Sequence, residues 1–257
     1  MSAITLQPKR TWLLMRNQLS VARTPAILIA AASGVALILY VLTSIGGGSP
    51  AFHLTVYPIL LFALGYIVSS FSFQEIHDPR TGVYELTSPG SIIEKYVARI
   101  LLTSIGWAVA VTLAYMLTTA IGAGIAELIF GESHGIFVPN NGVFWEMTTT
   151  YLVSQSIFVF GSIYFKKSAF LKTVLVMVMF AVIYAIFLAI AARLIYWNVF
   201  TGIFPTEAEM NALFAVIEPQ AIRLGDVLER ILDYVGWIAV PIFFWFVGYV
   251  RLRETEV

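Results

Sequence analysis

The sequence predicts an all-α integral membrane protein of six transmembrane helices, with both termini in the cytoplasm. Three observations lead there. The chain is 59% hydrophobic and only 12% charged, with mean hydropathy +0.86, whereas ordinary soluble domains carry about 25% charged residues. Six uncharged apolar stretches recur: Pro25–Ile45, Leu54–Phe73, Ile100–Ile121, Met147–Phe165, Thr173–Ala192 and Tyr234–Val250. Each is close to the ~20 residues that cross a hydrocarbon core about 30 Å thick. Finally, the basic residues alternate. Lys9, Arg10, Arg16, Arg23, Arg80, Lys95, Arg99, Lys166, Lys167, Lys172, Arg251 and Arg253 fall on one side of the predicted bundle. Only Arg193, Arg223 and Arg230 fall on the other. Excess Lys/Arg marks the cytoplasmic face.

At about 20 residues each, the six spans leave only short loops between them, so residues 1–257 are expected to form a single membrane domain. The formal charge is zero but polarised, at +6 on the inner side and −6 on the outer. A basic inner surface favours anionic lipid headgroups. Nucleic-acid binding is not expected, because no loop of any size interleaves basic and aromatic residues. With no cysteine, disulfides, iron–sulfur clusters and thiol nucleophiles are excluded. The amino terminus lacks a cleavage pattern after its charge-interrupted apolar run, so the first span is expected to be retained.

Residues 9–22 come first. Trp12, Met15 and Leu19 recur at helical spacing while Lys9, Arg16 and Asn17 lie elsewhere on the wheel. This is the pattern of an amphipathic helix lying in the membrane interface; a frayed lead-in is the plainer alternative. Thr24-Pro25 starts the first span, since proline suits a first helical turn. Gly46-Gly47-Gly48-Ser49-Pro50 is a short uncharged outer turn. The inner loop 74–95 is the richest segment. Asp78-Pro79, Thr81-Gly82 and Ser88-Pro89-Gly90 are turn signals, and Ser91-Ile92-Ile93-Glu94 reads as a capping box. That box starts a helix about six residues before the bilayer and couples the loop rigidly to the third span. Passive loops also end in capping boxes, so the pattern alone leaves the loop's role open. Lys166-Lys167 and Lys172 bracket a tight inner turn. In the outer segment 196–233, the longest between spans, Leu224, Val227, Leu228 and Ile231 form an apolar stripe opposite Arg223, Asp226, Arg230 and Asp233. A surface helix turning at Gly236 into the sixth span is expected there.

The six spans contain no ionisable residue. Intramembrane charges mark proton relays and ligand counter-ions, so proton-coupled carriage, retinal attachment and haem ligation are excluded. His53, His77 and His134 lie at span ends or in loops and read as surface or interface residues. Neither a phosphate-binding Gly-rich loop nor a catalytic cluster occurs, so no enzyme and no cofactor is expected. Any work would draw on another polypeptide. Ser69, Ser70, Ser72, Thr118, Thr119, Ser154, Gln155 and Ser156 are the polar residues within spans. Gln155 sits near mid-membrane, where it either hydrogen-bonds between helices or lines a translocation path. Pro241 is expected to loosen the sixth span.

An in-plane basic helix, six spans, a structured inner loop between spans two and three and an outer helix before span six together resemble the permease subunits of second-type ABC exporters. Leu86-Thr87-Ser88-Pro89-Gly90-Ser91-Ile92-Ile93-Glu94-Lys95-Tyr96 is similar to the Leu-Pro-Ala-Ser…Leu-Glu-Lys-Phe stretch of a bacterial branch of permease-like proteins. The inner turn Phe165-Lys166-Lys167-Ser168-Ala169-Phe170-Leu171-Lys172-Thr173 and the tail Tyr249-Val250-Arg251-Leu252-Arg253-Glu254 also echo that branch. The resemblance covers nearly the whole chain in topology, through loose motifs. It implies that residues 9–22 are the elbow helix and that residues 74–95 hold the coupling helix, which docks on a separate ATPase that binds the ATP. Contact would then fall on Glu75, His77, Arg80, Tyr84, Glu85, Ser88 and Glu94. It further implies a homodimer, or a pair with a sister permease, in the bacterial inner membrane. A non-transporting subunit of a larger membrane complex, docked through 196–233, is the alternative.

Overall fold

The computed structural model describes residues 7–21, 23–74, 90–140, 142–195, 197 and 206–255. Among them the regular structure is helical, with no strand. The helices are α1 (Pro8–Val21), α2 (Arg23–Thr43), α3 (Ala51–Phe71), α4 (Ile92–Phe130), α5 (Gly142–Tyr164), α6 (Ala169–Ile195) and α7 (Glu207–Thr255). Four are long and apolar enough to cross a membrane, over Thr24–Gly46, Ala51–Phe71, Ile92–Phe130 and Ala169–Ile195.

The remaining two predicted stretches fall in α5 and at the end of α7. In α5 the run Thr148-Thr149-Thr150 and the triplet Ser154-Gln155-Ser156 dilute the apolar character. That helix is also internal: Tyr151, Gln155, Ser156, Val159 and Ser162 are all fully buried, so protein rather than lipid surrounds them. In place of a surface helix turning at Gly236, one helix runs from Glu207 past Gly236 and Pro241 to Thr255. A lone glycine costs a helix only about 1 kcal/mol, too little to break one with apolar residues on both sides. The start of α7 is a further capping box, with Thr206 N donating to Glu209 Oε2 (2.8 Å) and Glu209 N to Thr206 Oγ1 (3.3 Å).

The chain divides into two compact units. One comprises Met1–Phe170 and Pro241–Val257, the other Leu171–Val240. In the second unit, α6 is apolar on every face and none of its most apolar window is buried, as suits a helix solvated by lipid.

The first unit contains the core. At 39 residues, α4 spans about 58 Å, nearly twice the hydrocarbon thickness. Its uncharged stretch lies between Arg99 and Glu127, so the ends bearing Glu94 and Glu127 project beyond that layer. Along α4, Trp107, Val111 and Tyr115 pack with Tyr57, Leu61 and Tyr151 of α3 and α5. Further along, Ala123 and Ala126 pack on Tyr40 of α2. At the opposite end Phe73, Tyr96, Ile100, Ile163 and Leu252 form a separate cluster. The beginning of α4 and the carboxy-terminal turn therefore meet at one end, and α1 packs against the same part of α4.

A plug closes the Glu127 end. Residues 131–140 fold back over the bundle, and Phe137 stacks on Tyr57 (4.7 Å) and meets Tyr115 edge-on (5.0 Å). His134 pins the segment. Ser49 N donates to its Nδ1 (2.7 Å), and its Nε2 lies 2.8 Å from Thr43 Oγ1. The ring also stacks on Phe52 (4.6 Å) and is 6% exposed. His134, read from sequence as a surface or interface residue, is thus a buried fastener. His53 works alongside it, receiving the Tyr115 hydroxyl on Nδ1 (3.1 Å) and donating from Nε2 to the Gly135 carbonyl (3.2 Å). Gly48 makes the closure possible, because a Cβ there would overlap the Ser133 carbonyl deeply. Since both groups are backbone, neither can swing aside. Gly48→Ala is expected to lift the plug at a cost of about 1–3 kcal/mol, read as faster hydrogen exchange across 131–140; wild-type exchange would show that the contact yields.

Candidate functional site

Two polar assemblies stand out in the first unit, one at its Glu94 end and one in its interior. The first is built on the capping box expected from sequence. Ser91 is extended (ψ 153°), its hydroxyl accepts from Glu94 N (3.3 Å), and Glu94 Oε2 accepts from Ser91 N (3.0 Å). The other carboxylate oxygen does something no local motif announces. It accepts from Gln7 N at 2.9 Å, the residue just before Pro8 opens α1. One carboxylate therefore serves the amino-terminal ends of two helices, where unpaired N–H groups and the helix dipole favour negative charge. These bonds, Ser91 first and Gln7 second, outweigh desolvation and hold the Glu94 carboxyl below the ordinary carboxylate range. The side chain is buried.

Nearby, Arg99 extends the assembly. Its guanidinium donates to the Ser72 carbonyl (2.7 Å) and lies 5.2 Å from the Phe73 ring centre. Tyr96 donates to the Trp245 carbonyl (2.6 Å). The first two turns of α4 are thus bonded to α1, to the end of α3 and to the last part of α7.

In the interior, α3 and α4 each contain a π-helical turn, Ile59–Leu64 and Leu102–Gly106. A π-turn loosens the regular carbonyl ladder, and such turns recur at functional sites. Aromatic donors take up two of these carbonyls: Trp107 Nε1 donates to Leu61 O (3.2 Å) and Tyr151 Oη to Thr103 O (2.7 Å). Gly65 lies between the two rings.

Beside them α3 and α5 meet through polar side chains. Tyr66 Oη donates to Ser154 Oγ (2.7 Å), Ser69 Oγ to Gln155 Oε1 (3.1 Å), and the Ser72 and Ser162 hydroxyls are 3.3 Å apart. Gln155 is 0% exposed, and its Nε2 has no hydrogen-bond partner among the described residues; nor has Ser70 Oγ. Turning the amide over would only exchange an unpaired donor for an unpaired acceptor. Each such group costs about 1–3 kcal/mol.

Of the residues nominated from sequence, the structure places Glu94 in the first assembly and Gln155 in the second. Glu75, His77, Arg80, Tyr84, Glu85 and Ser88 lie outside the described residues. Sequence reading missed Tyr66, Tyr151, Trp107 and Gly65. The available signal was a tyrosine or tryptophan in mid-span, whose polar end needs a partner when buried.

Fold and site together define a helical membrane protein with a carboxylate-locked end and a polar interior seam. No model of a known protein family matches the chain, and no curated protein or solved structure does.

Proposed function

We propose that this chain is the permease subunit of an ATP-driven ABC exporter in a bacterial inner membrane, crossing it six times with both ends in the cytoplasm. A separate ATPase subunit supplies the energy, and the permease works as a homodimer or with a sister chain. The observation that carries the reading is the double role of Glu94. A push on residues 75–89 enters α4 at a start already bonded to α1, α3 and α7, so it moves a braced assembly instead of bending a loop. The clustering of α1, the beginning of α4 and the carboxy-terminal turn at one end supports termini on a common side. In this reading α5 and the last part of α7 are the fourth and sixth spans, and Gln155 faces the translocation path.

Arg80, Tyr84 and Glu85 are the residues to test. Replacing all three with alanine is expected to abolish copurification of a nucleotide-binding partner that the native chain retains at roughly equal stoichiometry in mild detergent. Undiminished copurification would reject the docking site. Recovery of the native chain with other membrane-complex subunits, and no ATPase, would favour the non-transporting structural subunit.

A further inference from the structure

We propose that the interface between α3 and α5 is a gated seam that opens to admit water and an uncharged, hydrogen-bonding solute, met by the free end of the Gln155 amide. The inference deepens the permease reading and rests on it for the direction of work. The opening itself is a separate matter.

Three features single out this interface. Its contacts are polar at successive levels: Tyr66 with Ser154, Ser69 with Gln155, and Ser72 with Ser162. Tyr66, Ser69 and Ser72 follow one another at intervals of three, the first two on one face of α3 and Ser72 at its C-cap. Apolar clusters flank these levels, with Tyr57, Leu61 and Tyr151 on one side and Phe73, Val159 and Ile163 on the other. Secondly, the seam holds hydrogen-bonding capacity it does not use. Gln155 is wholly shielded with one end of its amide unpaired. Paired polar groups suit a permanent helix contact in a membrane, but an unpaired buried one does not, and it is relieved when a hydroxyl or carbonyl of a guest reaches it. Thirdly, the backbone can yield. The π-turn Ile59–Leu64 ends immediately before Gly65, ahead of all three levels, and π-turns are where helices bend.

The chemistry also selects the guest. The three levels hold no ionised group; among the described residues Arg99 is bonded to the Ser72 carbonyl at one limit. A neutral solute with several hydroxyl or carbonyl groups suits such a lining, whereas a bare cation would find no carboxylate. In this structure the seam is shut, with Ser69, Gln155 and Ser162 at 0% exposure and Tyr66 stacked on Phe158 at 4.2 Å.

The chain has no cysteine, so single thiols can be read in the otherwise native protein. Ser69→Cys and Ser162→Cys, in membranes with and without ATP, are treated with a neutral, water-soluble methanethiosulfonate. Val159→Cys, buried in an apolar cluster on α5, is the dry control, and Glu132→Cys the exposed one. The seam thiols are expected to react at about 0.1–10% of the exposed control's rate, the share of a minor open state, and faster with ATP. Gln155→Leu should slow Ser162→Cys to the dry rate. Reaction that ATP does not change would support the opening while removing its link to an ATP-driven permease. Should both seam thiols react no faster than Val159→Cys in either condition, the proposal is wrong. If Ser69→Cys fails to reach the membrane, Ser162→Cys and Ser154→Cys decide between the same two outcomes.

Discussion

Replacing Glu94 with alanine is expected to release the amino-terminal helix from the bundle. The change orphans two backbone donors, Ser91 N and Gln7 N, and removes half of a capping box whose other half holds the Glu94 amide. Losses of this kind come to about 2–4 kcal/mol together. Hydrogen exchange across residues 7–21 should accelerate at least about tenfold, the factor for roughly 1.4 kcal/mol of local stability. Glu94→Gln keeps one acceptor but no charge at either helix start, and should fall between alanine and wild type.

The pH dependence has a defined sign. A carboxyl held low in the folded protein stabilises it above the ordinary carboxylate pKa of about 4.3, and that contribution fades as the pH falls through the folded value. Wild-type protection of residues 7–21 should therefore hold across neutral pH and drop only on acidification, while Glu94→Gln shows no such drop. Equal exchange in wild type and Glu94→Ala would show that apolar packing, not the carboxylate, seats α1.

The second large effect is expected at Gly65. A Cβ there would come within 2.5 Å of Tyr151 Cε2 and 2.7 Å of Trp107 Nε1. Neither ring is free to retreat, since Tyr151 is bonded to Thr103 O, Trp107 to Leu61 O, and both are buried. Gly65→Ala must push α3 off its neighbours or break one of these bonds. Overpacking alone costs about 1–3 kcal/mol, and an orphaned buried donor adds a similar amount. Gly65→Leu should prevent stable folding. The thermal midpoint in detergent measures this; a Gly65→Ala midpoint equal to wild type would mean the rings have room to move.

The parts legible in the sequence are those decided by neighbours a few residues apart. The capping box needs only Ser91 and Glu94, three positions from each other, and both of its bonds are present. Four of the apolar stretches became helices long enough to cross a membrane, because solvation by lipid depends on local composition. The Gly-rich turn after α2 also stands where its residues placed it. Gln155 could be picked out as the polar residue in mid-span, but not that Ser69 would take one end of its amide and leave the other unpaired. His134 could not be recognised as a fastener, since Ser49 and Thr43, its partners, lie 85 and 91 residues away.

The sequence by itself settled that this is a helical protein made for a membrane, and where its uncharged stretches run. Hydrophobicity and capping are sums over adjacent residues, and no distant contact can reverse them. Tertiary structure alone decided that Glu94 would also hold Gln7, that Gly65 would sit between two pinned rings, that π-turns would interrupt α3 and α4, and that α7 would pass Gly236 unbroken. Each of these turns on which surfaces meet after the chain has packed. A hydrogen bond between residues 87 positions apart leaves no pattern in either neighbourhood.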